Sequence, residues 1–412
     1  MEIRRDYYLN KLIEAKNDKL IKVITGIRRC GKSYLLNKIF YEYLLNNNIP
    51  ENHIIKIALD DTDNEELLNP QHLSSYIKNK IVDKEVYYCL LDEIQLVENF
   101  EGVLNGLLRI ENIDIYVTGS NSKFLSTDII TEFRGRGEEI RIYPLSFSEF
   151  MSVYEGDKLE GWNEYCTYGG LPLVVEMKTD ERKMNYLKEQ MQNVYMNDVI
   201  ERNNIRNDSE LIELVQIISS SIGSLSNPKK MSDTFKSKEG INIDSKTINS
   251  YLKYLEEAFI IEKANRYDVK GRKYINTPYK FYFSDIGIRN SFINFRQQEE
   301  THIMENIIYL ELRRRGFNVD VGLVEYRTAN IYKQLEIDFI ANKGNNKFYI
   351  QSALDMPSNE KIEQEERPLL KVNDSFKKFI ITKDYIKRTR DDNGIIKMSI
   401  FDFLLDINSL DY

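Results

Sequence analysis

Gly26-Ile-Arg-Arg-Cys-Gly-Lys32-Ser33 reads G-x-x-x-x-G-K-S, and the rest of the chain is read outward from it. The apolar run Leu20-Ile-Lys-Val-Ile-Thr25 precedes it, and the helix-like Tyr34-Leu-Leu-Asn-Lys-Ile-Phe40 follows. Strand, glycine-bounded loop, then helix is the context that makes this spacing a phosphate-binding loop. The glycines let the backbone curl so that its N–H groups point at phosphate oxygens. The helix that starts near Lys32 adds the positive end of its dipole. The expected nucleotide contacts are Gly26, Ile27, Arg28, Arg29, Cys30, Gly31, Lys32, Ser33 and Tyr34. Lys32 reaches the β- and γ-phosphates of ATP in this reading, and the Ser33 hydroxyl ligates Mg²⁺.

Further apolar runs recur at Ile54–Leu59, Val86–Leu91, Ile113–Thr118 and Glu139–Tyr143, with helical stretches between them. That alternation predicts an α/β domain with a parallel sheet, and runs this continuous suit strands buried on both faces. Ligands of such sheets gather at the carboxyl ends of the strands. Tyr87-Tyr-Cys-Leu-Leu-Asp92-Glu93 ends in two acids. Asp92 is expected to hold Mg²⁺, and Glu93 to polarise the water that attacks the γ-phosphate. The next strand ends Thr118-Gly-Ser120-Asn121, where either Ser120 or Asn121 suits a γ-phosphate sensor or a helix cap. Arg134 or Arg136 of Phe133-Arg-Gly-Arg-Gly is a candidate arginine finger, offered to a neighbouring copy in a homo-oligomer.

With Leu91-Asp-Glu-Ile-Gln95 and Tyr143-Pro-Leu-Ser-Phe-Ser-Glu-Phe150, these motifs resemble a family of bacterial and archaeal AAA-type ATPases. The likeness runs over nearly the whole chain. It implies an ATPase core of the additional-strand, catalytic-glutamate type, with Glu93 as that glutamate. It also implies a C-terminal domain related to restriction endonucleases. Three domains are expected on this basis: residues 1–155, the P-loop ATPase; 156–290, helical and winged-helix; and 291–412, endonuclease-like.

In the middle region, Tyr168-Gly-Gly-Leu-Pro172 predicts a turn, and resembles the segment that closes the ATPase module in the family. Asp198-Val-Ile-Glu-Arg202 also matches the family, its charges suiting interdomain contacts or a solvated helix face. Lys229–Lys238 and Ser245–Ala258 predict the helices of a winged helix, with Ile260–Lys263, the tip Lys270–Lys273 and Tyr274-Ile as its wing. Lys and Arg outnumber Asp and Glu here, against the sign of the whole chain, which suits phosphate contacts to double-stranded DNA. A protein–protein spacer is the other reading.

An amphipathic helix, Glu305–Phe317, opens the last region, followed by strands at Val319–Val321, Gln334–Ile340, Lys347–Ala353 and Lys378–Thr382. Glu305, Asp338 and Gln351 stand where the endonuclease resemblance implies a magnesium site, with Glu336 nearby. Ala353 stands where that site wants a lysine, so a degenerate site is expected unless a lysine such as Lys347 reaches in. The Arg313-Arg-Arg315 cluster suits phosphate contact or the helix dipole.

A chain of 412 residues with 42% hydrophobic and 30% charged residues describes a multidomain globular protein. No apolar run is long enough to span a bilayer, and Met1-Glu-Ile-Arg-Arg-Asp6 lacks a signal peptide's apolar stretch, so a cytoplasmic protein with no membrane partner is expected. Three histidines and three cysteines without metal-ligand spacing argue against a zinc site. A formal charge of −8 excludes a uniformly basic nucleic-acid coat but leaves room for a local basic face. The functions expected are a DNA-associated ATPase, a nucleotide-driven signalling or assembly switch, or an ATP-gated nuclease.

Overall fold

The computed structural model describes residues 3–119, 133, 135–238, 242–296, 299–328 and 331–411. The chain forms two compact units, Met1–Pro144 and Leu145–Tyr412.

The first unit is built on five strands: β1 (Ile21–Thr25), β2 (Ile54–Ala58), β3 (Tyr87–Asp92), β4 (Ile113–Thr118) and β5 (Gly137–Arg141). Their order is β2-β3-β4-β1-β5, and all four pairings are parallel. Every residue of β1, β3 and β4 is buried, as the unbroken apolar runs predict. Strand β4 lies between β1 and β3, so the loop after β1 and the acids after β3 flank it. This is the additional strand that the family resemblance implies. Two charges interrupt the apolar pattern and answer each other. Lys22, fully buried in β1, donates to Asp114 of β4 and, at 2.7 Å, to Asp18. The Tyr116 hydroxyl and the Asn17 N–H also donate to Asp114, each at 3.0 Å.

Two helices matter for the site. Helix α1 (Asp6–Glu14) buries Tyr8 and Leu12. Helix α2 (Lys32–Tyr34) continues without a break through a wider π-turn stretch, Leu35–Phe40, into Tyr41–Asn46. Gly31 precedes α2 with φ 99° and so turns the loop into the helix.

The second unit begins with a helix, Phe147–Met151, started by a capping box in which Ser146 and Glu149 exchange side-chain and backbone bonds. The Arg202 guanidinium pairs with Asp198 on the same helix face, so those two charges serve each other. The helices expected near 229–238 and 245–258 are present, as Pro228–Lys238 and α3 (Ser245–Glu257). Helix α3 buries Ile248, Tyr251, Leu252 and Leu255, the i, i+3, i+4, i+7 positions of one helix face.

An eight-stranded sheet follows: β6 (Ile261–Asp268), β7 (Lys273–Phe283), β8 (Asn318–Thr328), β9 (Ile331–Lys343), β10 (Asn346–Ala353), β11 (Lys377–Thr382), β12 (Thr389–Arg390) and β13 (Ile395–Ser399). Its order is β12-β13-β11-β10-β9-β8-β6-β7. The hairpin expected as a wing, β6 with β7, thus forms one margin of this sheet. A hairpin leaves an open row of backbone groups, and β6 satisfies part of its row by pairing in parallel with β8.

Helix α4 (Ile286–Phe292) is capped by Asp285, which accepts from Ile288 N at 3.0 Å and from Gly170 N at 2.7 Å. The Tyr168-Gly-Gly turn is thereby fastened to that cap. Gly169 has φ +74°, and a Cβ there would lie 2.2 Å from Asp285 Oδ1. Helix α5 (Glu300–Arg314) is buried along most of its length. The arginines at its end have internal partners. Arg313 donates to Glu262 Oε2 at 3.0 Å, and Arg314 pairs with Glu311. Arg315 donates to Glu311 Oε1 and Ser409 Oγ, each at 2.8 Å. Internal acceptors engage all three arginines, with Arg314 and Arg315 buried and Arg313 partly exposed.

Candidate nucleotide site

The loop Gly26–Ser33 leaves the carboxyl end of β1 and the acids leave that of β3, so both arrive at one edge of the sheet. Gly26 has φ +142°, and a Cβ there would meet Ile142 O at 2.2 Å; any larger residue would push the loop off the sheet. The Lys32 ammonium lies over the loop it belongs to and donates to Gly26 O at 3.0 Å and Ile27 O at 3.2 Å. Ile27 and Cys30 turn their side chains inward, so only their backbones can serve a phosphate. Arg28 is half-buried, while Arg29, Ser33 and Tyr34 are exposed.

Asp92 is 4% exposed, and three neutral side chains converge on it. Ser33 Oγ donates to Oδ1 at 3.1 Å, Asn37 Nδ2 to Oδ2 at 2.9 Å, and the Thr118 hydroxyl also to Oδ1. Burial pushes the carboxyl up from its ordinary value, and the bonds from Thr118 and Ser33 pull it back. A cation placed between Ser33 and Asp92 would further favour the ionised carboxylate. The two oxygens are 3.1 Å apart on adjoining elements, which suits the paired hydroxyl and carboxylate ligands of Mg²⁺. The residues therefore fit a magnesium–triphosphate group.

Glu93 is half-buried and adopts a left-handed backbone, φ 55° and ψ 45°. A non-glycine residue in that region costs on the order of 1–3 kcal/mol unless its surroundings hold it. Here Glu93 N donates to Thr118 Oγ1 at 2.9 Å, and the Gln95 amide donates to the Glu93 carboxylate. Asp92 and Glu93 thus have different side-chain partners, Ser33, Asn37 and Thr118 for the first and Gln95 for the second.

Three partners escaped the sequence reading. Asn37 and Thr118 complete the shell of Asp92. Arg5 braces the loop from beneath: its guanidinium donates to Cys30 O at 3.1 Å and Tyr143 O at 2.6 Å, and stacks 4.7 Å over the Tyr8 ring. An arginine 25 residues before its partner carries no spacing signal. For Thr118, the signal was its place at the end of the strand beside the acids.

Ser120, Asn121 and Arg134 lie outside the described residues. Arg136 is exposed and immediately precedes β5, its carbonyl accepting from Ile21 N at 2.8 Å. Gly137 pairs with Ile21 and Arg141 with Thr25, so Arg136 stands at the amino ends of the strands. At roughly 3.3 Å per residue, that is the opposite edge from its own loop.

The expected C-terminal residues also come together, around a cation not foreseen. Lys280 of β7 is 3% exposed, with its ammonium 2.8 Å from Glu305 Oε1, 2.7 Å from Glu336 Oε1 and 3.9 Å from Asp338 Oδ1. The Tyr282 hydroxyl donates to Glu305 Oε1 at 2.6 Å, and Ser352 N donates to Asp338 Oδ2 at 2.8 Å. Gln351 is half-buried on β10, and its Oε1 accepts no hydrogen bond from a described residue. Lys347 does not reach this group; its ammonium lies 5.1 Å over Phe376 and 5.9 Å over Tyr267, where aromatic faces attract it.

Comparison with known proteins agrees with the first unit's geometry. Residues 18–151 match the family model of an AAA domain, and residues 159–299 match a domain of unknown function, DUF8612. An uncharacterized protein of Haemophilus influenzae is 35% identical over 409 residues, covering 98% of both chains. The chain belongs to this AAA-domain family. An uncharacterized protein of the archaeon Methanocaldococcus jannaschii is also similar, at 31% identity over 97% of this chain and 88% of that one. Among solved structures, a Walker-type ATPase of Pyrococcus abyssi aligns with 71% of this chain and 96% of its own, at 16% identity and TM-score 0.49. The AAA family and the parallel P-loop sheet together make the first unit an AAA-type, ATPase-like domain. Among the described residues, no helix is long and apolar enough to cross a membrane.

Proposed function

We propose that this protein binds ATP with Mg²⁺, hydrolyses it, and couples that turnover to double-stranded DNA. The observation that carries the ATPase reading is the Ser33–Asp92 pair, 3.1 Å apart, with Lys32 and Glu93 the next residues along the chain from each. The loop backbone would hold the phosphates, Lys32 the β- and γ-phosphates, and Ser33 with Asp92 the metal. The metal, once bound, supplies charge neutralisation on the transferring phosphoryl group. Glu93, half-buried with a left-handed backbone, accepts the proton of the attacking water. Thr118 keeps both acids in register. Arg136, exposed at the far edge of the sheet, suits a finger offered to a neighbouring copy rather than to its own site, with Arg134 and the sensor pair Ser120/Asn121 completing the reading.

For DNA, the support is α3. Its apolar side is buried, while Lys246, Asn249, Ser250 and Lys253 face outward, a face of the type that enters a groove. Three buried free thiols, Cys30, Cys89 and Cys166, suit a reducing, cytoplasmic setting. The test is ATP turnover of the purified chain with and without duplex DNA, over a range of salt. Magnesium-dependent turnover that DNA stimulates, with the stimulation fading steeply as salt rises, supports the reading. Turnover indifferent to DNA, with ATP-dependent self-association, would favour an assembly switch instead.

A further inference from the structure

The endonuclease resemblance implies a divalent metal held by Glu305, Asp338 and Gln351, and the arrangement of the described side chains disagrees with it. Among the described residues, no three His, Cys, Asp or Glu groups are disposed to hold a metal ion. The carboxylates that would do so converge on an ammonium group. Lys280 touches Glu305 and Glu336 at 2.8 and 2.7 Å, which are N–H···O distances. Magnesium requires oxygens at about 2.1 Å in near-octahedral array. Two further hydrogen bonds and one longer contact occupy other sides of the group. Glu305 Oε1 accepts the Tyr282 hydroxyl as well, Glu305 Oε2 faces His302 Nδ1 at 3.6 Å, and Asp338 Oδ2 accepts Ser352 N.

We propose that the Lys280 ammonium is the resident cation of this carboxylate site, standing in place of a metal, and that the site takes up no divalent ion. Charge balance is consistent with this. Burial, opposed and outweighed by Glu305, Asp338 and Glu336, leaves Lys280 protonated well above its ordinary range. Burial also raises Glu305, but Lys280 beside it holds that carboxyl below its usual value. Burial and the neighbouring Glu305 push Asp338 well up, toward its neutral form. One ammonium then stands between the carboxyl groups of Glu305 and Glu336. The lysine is carried by β7, outside residues 291–412, so no search for an acid-x-Lys unit within the last region would find it. In this role Lys280 ties β7, α5 and β9 together, and the region is a binding or structural unit rather than a nuclease.

The test is equilibrium Mn²⁺ binding to the nucleotide-free full-length chain, followed by the EPR signal of the free ion. Wild type, Asp338→Asn and Glu336→Gln are expected to bind the same number of ions. Lys280→Ala is expected to gain about one ion per chain, at least tenfold tighter than any wild-type binding, and to lose it again in the Lys280→Ala/Asp338→Asn double variant. An ion bound by wild type and lost in Asp338→Asn or Glu336→Gln overturns the proposal. So does a Lys280→Ala protein that keeps its circular dichroism spectrum yet binds no added ion. Should Lys280→Ala fail to fold, the comparison of wild type with Glu336→Gln decides alone: equal binding upholds the proposal and unequal binding sinks it.

Discussion

Thr118 Oγ1 accepts the backbone N–H of Glu93 at 2.9 Å and donates its own proton to Asp92. One hydroxyl at the end of β4 therefore positions both acids at the end of β3. Thr118→Val keeps the shape and removes the bonds. Leaving a buried carboxylate oxygen and N–H short of partners costs roughly 1–3 kcal/mol of stability. Turnover is expected to fall about tenfold or more while ATP affinity changes little, because the lost bonds orient the acids rather than hold phosphate. Steady-state kinetics with a separate nucleotide-binding titration check this split; equal losses in both would assign Thr118 to binding.

Lys32 and Glu93 are expected to separate binding from chemistry. Lys32→Ala removes the cation over the loop and should abolish nucleotide retention. Glu93→Gln keeps the size of the side chain but cannot take a proton, so ATP should stay bound with turnover reduced about 10²–10⁴-fold. Filter binding of labelled ATP, measured beside phosphate release, reads both. Full turnover in Glu93→Gln would assign water activation to another group.

Arg5 supports the loop through the Cys30 and Tyr143 carbonyls. Hydrogen bonds from charged donors contribute about 1.5–3 kcal/mol each, so Arg5→Ala should lower thermal stability measurably. ATP affinity should fall with it, by about tenfold, since the loop loses its floor. Arg5→Lys should rescue only part of this, because an ammonium lacks the planar fork that reaches both carbonyls. Unchanged affinity in Arg5→Ala would show that the loop keeps its shape unaided.

Lys22 and Asp114 form a buried pair beneath the same sheet, 0% and 2% exposed. Asp114→Ala takes from the buried ammonium its buried partner, leaving the more exposed Asp18, and is expected to cost up to about 3–5 kcal/mol. The double change Lys22→Met/Asp114→Leu should recover most of that loss. Urea denaturation of the three proteins measures it, and a double variant no more stable than Asp114→Ala would contradict the pairing argument.

Asp285 carries a pH signature in the second unit. Burial pushes its carboxyl up to about 6 from an ordinary 3.8, against the bonds from Gly170, Ile288 and Gly287. A raised folded-state pKa means the folded chain holds its proton more tightly than the unfolded chain does. The resulting contribution is complete below about pH 3.8, drains away as pH rises, and is gone above about 6. At about 1.4 kcal/mol per pH unit, it amounts to about 3 kcal/mol. Asp285→Asn should therefore narrow its stability deficit relative to wild type as pH rises from 4 to 7. A difference that stays constant across that range would place the Asp285 carboxyl near its ordinary value.

Much of the nucleotide site is legible in short stretches. Gly26–Ser33 and Asp92-Glu93 are each recognisable within a few residues, because a phosphate loop and a metal-holding strand end are local structures. The Lys280 site was not legible: Lys280 sits 25 residues before Glu305 and on the margin strand of a sheet whose order departs from chain order. The same holds for Arg5, whose acceptor Tyr143 is 138 residues away.

From the residues alone come the five strands of the first sheet, the loop that would hold phosphate, and the acids beside it. Strands buried on both faces must be continuously apolar, and a tight phosphate loop must be glycine-bounded, so local composition carries them. Tertiary structure alone decided that Arg136 stands at the end of the strands opposite the phosphate loop, and that a lysine stands among the carboxylates. Those outcomes depend on which strand edges pair after long loops close, and hydrogen-bonded strand edges look alike in sequence until the folded chain brings them together.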